Sequence, residues 1–278
     1  MKSSDASFLL TVDADWIPGS PVGYERLLDF ARERRLTLTT FFTSGFCFEA
    51  PELVERTVEE GHELGSHGCC HGVDTTEQFD RLSYRDQVIL IDRSRRLIER
   101  CSGEPIRTFR APDLLYNDDT VRALDELGFH IDSSAPALRF DWLLSASDRP
   151  LRRILSNPRP HVLIPETERR VDWPLIEVSP SALGVPVVMS VLRRFGMKPL
   201  RAVTRWIAAI SGVVNFYCHP WEFVPASERY VPERDNHNWS RNCRPENLSA
   251  LDRFCRHVVE TLDCTSRSLT EHVELCDM

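Results

Sequence analysis

Lysine is almost missing from this chain. Only Lys2 and Lys198 carry an ammonium, and arginine supplies the rest of the 34 basic residues. The 42 acids outnumber them and leave a formal net charge of −8. That deficit of positive charge excludes a general nucleic-acid binder, because phosphate binding needs a basic surface. Long apolar runs are missing too. The longest candidate, Trp206 to Val214, is far short of the ~20 residues of a membrane helix, so no transmembrane segment is expected. The apolar stretch near the start, Ser7 to Val12, is too short for a secretory h-region with a cleavage site. The nine cysteines contain no Cys-x-x-Cys pair. An odd number of thiols without a leader reads as reduced cysteine in the cytoplasm, with peripheral attachment at the inner membrane surface left open.

What is present is a soluble, globular pattern. Apolar residues make up 42% and charged residues 27% of 278 positions, which suits one domain. Strand and helix signals alternate. Phe8 to Val12 reads as a buried strand, residues 21–35 as an amphipathic helix, and Leu36 to Phe42 as the next strand. Pro51 to Glu60 opens with proline and stops at Gly61; His62 to Ser66 follows as a strand. Ser83-x-x-Asp86 resembles a capping box for a helix to about Cys101. Arg107 to Arg110, Phe129 to Asp132, Leu175 to Val178 and Val213 to Cys218 are further strands. Helices are expected after Asn117, over 199–210, and from about Glu246 to Leu262. Residues 135–173 show no period and read as an irregular insertion; 225–278 reads as a C-terminal loop and helix. Repeated βα units imply a parallel sheet or barrel wrapped by helices.

The polar residues worth weighing sit where strands end. Asp13 and Asp15 follow the first strand. Ser66-His67-Gly-Cys-Cys-His71 follows the third and sets two imidazoles four positions apart, a spacing that lets both grip one ion. Arg110 and His219 end two later strands. Taken singly, each has a bland explanation: a turn-forming aspartate, a strand exit, a His-Pro turn. Their shared position at strand C-termini is what those explanations leave out, because functional groups of a barrel collect there. Cys70, three residues after His67, is a rival thiolate ligand. Trp16 and Trp221 could form a sugar-stacking wall or belong to the core.

These segments together resemble the polysaccharide deacetylase family, also called the NodB-homology or carbohydrate esterase 4 family. Thr11-Val-Asp13-Ala-Asp15 is similar to its first motif, Ser66 to His71 to its second, Phe109-Arg110-Ala111-Pro112 to its third, and Phe216-Tyr-Cys-His219-Pro-Trp-Glu222 to its last. The likeness spans roughly residues 8 to 225. It implies a distorted (β/α) barrel of seven strands in a single domain over 1–278. It also implies that Asp15, His67 and His71 bind a divalent metal, with zinc the expected ion. Asp13 would then be the general base, Arg110 its holder and His219 the general acid. An acid should orient His219; Asp132, Asp172 and Glu177 are the candidates. A metal lowers the pKa of its water toward ~7, so a carboxylate beside it can take a proton at neutral pH. A histidine opposite can protonate the departing nitrogen.

The expected activity is metal-dependent removal of an acyl group, N-acetyl above all, from an amino sugar, a saccharide or another small amide. One alternative is a C–N hydrolase of the same fold acting on a cyclic imide, a ureide or an N-formyl sugar. Another is a catalytically silent carbohydrate-binding protein, which would have no use for a base and an acid.

Overall fold

A computed structural model describes residues 6–71, 78–138, 157–225 and 242–277. The strands are β1 (Ser7–Ala14), β2 (Leu38–Phe42), β3 (Glu63–Ser66), β4 (Thr108–Phe109), β5 (Ile131–Asp132), β6 (His161–Val162), β7 (Ile176–Glu177), β8 (Ala182–Leu183), β9 (Val185–Pro186), β10 (Val213–Cys218) and β11 (Thr265–Ser266). The α-helices are α1 (Ser20–Arg34), α2 (Ser44–Glu49), α3 (Pro51–Glu59), α4 (Tyr84–Ser102), α5 (Asp118–Glu126), α6 (Met189–Phe195), α7 (Met197–Ser211), α8 (Asn247–Arg256) and α9 (Leu269–Leu275).

Seven strands run parallel in the order β10-β1-β2-β3-β4-β5-β7, with β6 antiparallel on the β7 edge and β11 beside β1. This curled, largely parallel α/β sheet is the distorted (β/α) barrel expected from the motifs, with nine strands rather than seven because β6 and β11, the latter parallel to β1, extend it. Among the described residues no ladder joins β7 to β10. Asn215 of β10 spans that gap instead, donating its side-chain amide to the carbonyls of Val178 and Ser179, both at 3.3 Å.

Period-two alternation sorts β1 into two faces. Phe8, Leu10, Val12 and Ala14 join the main core between sheet and helices, while Leu9 belongs to the smaller core inside the barrel. Thr11 and Asp13 continue the Leu9 series inward. In β10, Val214, Phe216 and Cys218 face the helices, and Val213 lies in the inner core. That alternation sends Asn215, Tyr217 and, two residues on, His219 inward. The inner core also contains Leu269 and Val273 of α9, so this helix plugs the end of the barrel where strands begin. Glu63 fixes α9 there by accepting from the backbone N–H groups of Leu269 and Thr270. The barrel is thereby left open at the opposite end, where the strands finish.

The helices follow their local signals. Pro21 lies in the first turn of α1, and Tyr24, Leu27, Leu28 and Ala31 form its buried stripe. Ser83 caps α4 by accepting from the Asp86 N–H, and Asn117 caps α5 in a reciprocal box with Thr120. Several elements fall outside the sequence expectation. Helix α2 has only six residues, and β8–β9, α6, β11 and α9 were not anticipated. The expected irregular stretch 135–173 contains β6 and a 3₁₀ turn at Glu166–Glu168, with 139–156 outside the described residues. The expected loop at 225–245 lies outside them over 226–241. The final helix ends as an α-helix at Arg256 and continues as a π turn over His257–Thr261.

Candidate active site

Register builds the site. The N–H of His67 donates to the Phe42 carbonyl, that of Arg110 to Ser66, that of Ser133 to Phe109 and that of Val178 to Asp132. Each is the first residue past its strand, so His67, Arg110 and Ser133 stand at one level around the open end. Thr11 is paired with Tyr217, and Asp13 and His219 are the next inward residues on their strands.

Arg110 is fully buried, the largest such residue among those described. One Nη1 donates to Asp13 Oδ1 at 2.7 Å and to Thr11 Oγ1 at 2.9 Å, while Nε and Nη2 bond the Ser133 carbonyl and hydroxyl at 3.0 and 2.8 Å. Its guanidinium carbon lies 4.3 Å from the Phe41 ring centroid. A buried guanidinium is tolerable only when its donors are matched and its charge is paired, and both conditions hold. Burial alone would raise the Asp13 carboxyl. Arg110, with His67 and His219 behind it, outweighs burial and holds Asp13 below the ordinary carboxylate range.

Asp15 faces two ways. Its Oδ2 accepts from Trp221 Nε1 at 2.9 Å and lies 4.0 Å from His219 Nε2. Its Oδ1 is buried with no hydrogen-bond partner among the described residues, 3.6 Å from His67 Nε2 and 3.8 Å from His71 Nε2. His67 Nδ1 lies 2.7 Å from the Arg110 carbonyl, which can only accept. The proton therefore sits on Nδ1, and Nε2 points a lone pair at an anionic oxygen. Burial, the largest influence, keeps His67 below its usual pKa despite Asp13 and Asp15, so the ring is neutral. Two lone pairs facing each other at 3.6 Å are repulsive unless a cation sits between them. Bonds of ~2.1 Å to one ion would set tetrahedral donors ~3.4 Å apart, close to these spacings. Asp15, His67 and His71 therefore fit a metal, and each ligand atom lies within 4.8 Å of the others. Asp113, exposed and held at φ 53°, brings Oδ1 to 3.8 Å from His71 Nε2 at the mouth.

His219 is held from its own turn. Pro220 starts a 3₁₀ turn, Pro220–Phe223, that brings Glu222 back over the imidazole. Glu222 Oε2 accepts from the His219 backbone N–H at 2.9 Å and lies 3.2 Å from Nδ1; Oε1 accepts from Arg193 Nε at 2.8 Å. Both Glu222 and the Arg193 side chain are buried. Burial would lower the His219 pKa, but Glu222, Asp15 and Asp13 together raise it to about 9. His219 also stacks on Trp221, centroids 4.8 Å apart and planes 26° apart. Helix α1 can approach this turn only because of Gly23, where a Cβ would overlap the Pro220 carbonyl.

The six residues singled out in the sequence thus lie together. The acid beside His219 is Glu222, not one of the expected candidates Asp132, Asp172 and Glu177. Asp132 and Glu177 are buried side by side on β5 and β7. Trp221 is buried and positions Asp15, so it is no open stacking wall; Trp16 is 46% exposed and rests against Gly45. Cys69 points its thiol at the Leu90 carbonyl, and no cysteine joins the three-ligand cluster among the described residues.

The model for the polysaccharide deacetylase family matches residues 1–131. The chain is 26% identical to a chitooligosaccharide deacetylase of Sinorhizobium fredii over 145 residues, 52% of this chain and 65% of that protein. It is 26% identical over 113 residues to the peptidoglycan-N-acetylmuramic acid deacetylase PdaA of Bacillus subtilis, 38% of this chain and 41% of that one. It thus spans less than two thirds of the length of these curated relatives. Two solved structures share its fold from end to end. One, from Mycobacterium smegmatis and assigned to the polysaccharide deacetylases, aligns with TM-score 0.68 at 17% identity, over 98% of this chain and 91% of that one. The other, the allantoinase Puue, aligns with TM-score 0.66 at 11% identity, over 99% and 91%. Over residues 1–131 the chain is thus similar to the polysaccharide deacetylase, or NodB-homology, family, and its fold is that of these two structures.

Proposed function

We propose that this protein is a metal-dependent hydrolase that removes an acyl group, N-acetyl above all, from an amino sugar or saccharide. One observation carries the reading. Two buried ion pairs adjoin a three-ligand cluster: Arg110–Asp13 meets it at His67, which bonds the Arg110 carbonyl, and Arg193–Glu222 meets it through His219, which lies beside Asp15. Relatives named as deacetylases of chitooligosaccharides and of peptidoglycan N-acetylmuramic acid support the saccharide class.

Asp15, His67 and His71 would hold a divalent ion, and a set of two imidazoles and a carboxylate suits zinc. When bound, such an ion supplies Lewis acidity and acidifies a coordinated water. The remaining steps belong to the chain. Asp13, kept ionised, takes the proton of the attacking water. Arg110 bonds Asp13 Oδ1 and cannot give up its own charge, so the carboxylate is held in place and kept ionised. His219, held at Nδ1 by Glu222, presents Nε2 toward the cluster and gives its proton to the departing nitrogen. An amide needs that proton because its anion is a very poor leaving group. Saccharide binding alone would require neither group.

We also read residues 1–278 as one domain. We also infer residence in the reducing cytoplasm, because nine cysteines, an odd number with no Cys-x-x-Cys pair, suit reduced thiols. No helix of the described residues is long and apolar enough to cross a membrane.

The test is product analysis on a panel of N-acetylated sugars, nucleotide sugars and oligosaccharides. Acetate released in step with a free amine supports the reading. Ring-opened products from a cyclic imide or ureide, or formate from an N-formyl sugar, with no acetate from the panel, would replace it.

A further inference from the structure

The chain is acidic, but its charge is not evenly spread. Between Glu177 and Glu222 there is no Asp or Glu, although the whole carries 42 acids in 278 residues. Helices α6 and α7 lie inside this stretch and carry Arg193, Arg194, Lys198, Arg201 and Arg205. Arg193 is turned inward to Glu222; the other four are exposed. Leu200, Thr204 and Ile207 form the buried stripe of α7. At 100° per residue, Lys198, Arg201 and Arg205 then form one outward band, and Trp206 and Ile210 form the band beside it. Those two are 63% and 43% exposed, and Phe195, just before α7, is 68% exposed.

We propose that this face of α6 and α7 docks on an anionic lipid bilayer. Cations flanking exposed Trp and Phe on a surface helix are the combination that an interface of charged headgroups and acyl chains recognises: the cations meet phosphate while the rings enter the headgroup layer. A soluble polyanion would use the cations and leave Trp206, Phe195 and Ile210 in water without function. The absence of acids across the stretch removes the repulsion that the rest of this protein would meet at such a surface. The face is separate from the six site residues, so docking is independent of the hydrolytic reading.

The test is flotation of the purified protein with vesicles of phosphatidylglycerol and phosphatidylethanolamine, against vesicles of phosphatidylcholine alone. Binding to the first set only, released by raised salt, is expected. Each cation near a charged surface is worth roughly five-fold in affinity, so the triple variant K198E/R201E/R205E should lose on the order of 100-fold or more. Phe195→Ser with Trp206→Ser should weaken vesicle binding while leaving heparin binding as it was. Circular dichroism and acetate release from a soluble substrate should be unchanged in both variants, since all five positions are exposed. Failure to bind anionic vesicles would overturn the proposal. So would binding that survives both variants, or binding to heparin and vesicles alike with no contribution from Phe195 and Trp206.

Discussion

Replacing Glu222 by Gln tests the least expected part of the site. The substitution keeps size and one acceptor but removes the charge that faces both Arg193 and His219. Arg193 donates to Oε1 at 2.8 Å, and its side chain is fully buried. Removing one partner of a buried ion pair costs about 3–5 kcal/mol, because the other charge stays behind unpaired. The Gln oxygen can still accept from Arg193, so the lower end, about 3 kcal/mol, is the expectation from urea unfolding. The second effect is on His219. Glu222 is the first of the groups that raise its pKa against burial, so the neutral amide should lower that pKa. The basic limb of the pH–rate profile, at or below about pH 9 in the parent, should move to lower pH. A double variant separates the two effects. Arg193→Met in the Glu222→Gln background removes the stranded cation and should restore much of the stability, while the shifted pH profile remains. A cost under about 1 kcal/mol together with an unmoved basic limb would refute the assignment of Glu222 as the residue that holds His219.

Asp13→Asn should keep the bound metal and abolish turnover, whereas His67→Ala should lose both; equal metal loss on elemental analysis would mean that the roles of Asp13 and Asp15 are exchanged. Trp221→Phe keeps the ring against His219 but strips the donor from Asp15 Oδ2, so metal affinity should fall about 10- to 100-fold in a competition titration, the range for loss of a ligand's hydrogen-bond partner. The buried pair Asp132 and Glu177 sets a pH trend in stability. Burial raises Asp132 to about 7, and burial with Asp132 beside it raises Glu177 as well. Between the unfolded value near ~4 and that raised value the native state holds more protons than the unfolded one, so stability should decline as pH rises through this window. Asp132→Asn should flatten the decline in denaturant titrations across pH; an equally steep decline in that variant would rule out the pair as its source.

The sequence was most informative where one residue type and one position coincide. His67, Arg110 and His219 each follow a strand and Asp13 lies in the last two residues of one, and parallel register turns that shared position into contact, as the Arg110–Asp13 distance of 2.7 Å demonstrates. The seven parallel strands were legible because short strand signals alternate with helix signals along the chain. Glu222 was in plain view, three residues after His219, yet an acid was sought farther away. The available signal was Pro220: a proline-initiated 3₁₀ turn places i and i+3 on one side. Trp221 could not be assigned to wall or core, because burial of a ring depends on what packs against it, here Ile17 and Cys243 from distant segments. Short elements escaped altogether. Helix α2 is less than two turns long and rests on a single cap at Thr43, too few residues for a period to emerge. Helix α9 buries just two apolar residues, Leu269 and Val273, with His272, and its place under the barrel depends on Glu63 from a distant strand.

The central claim is hydrolysis of an N-acyl sugar that depends on a metal at Asp15, His67 and His71. The most direct measurement is acetate release from an N-acetylated saccharide before chelation, after chelation, and after zinc is returned. Loss of activity on chelation and its recovery with zinc, in step with one bound ion per chain, is the predicted result. Acetate release that continues unchanged in the stripped protein would contradict it.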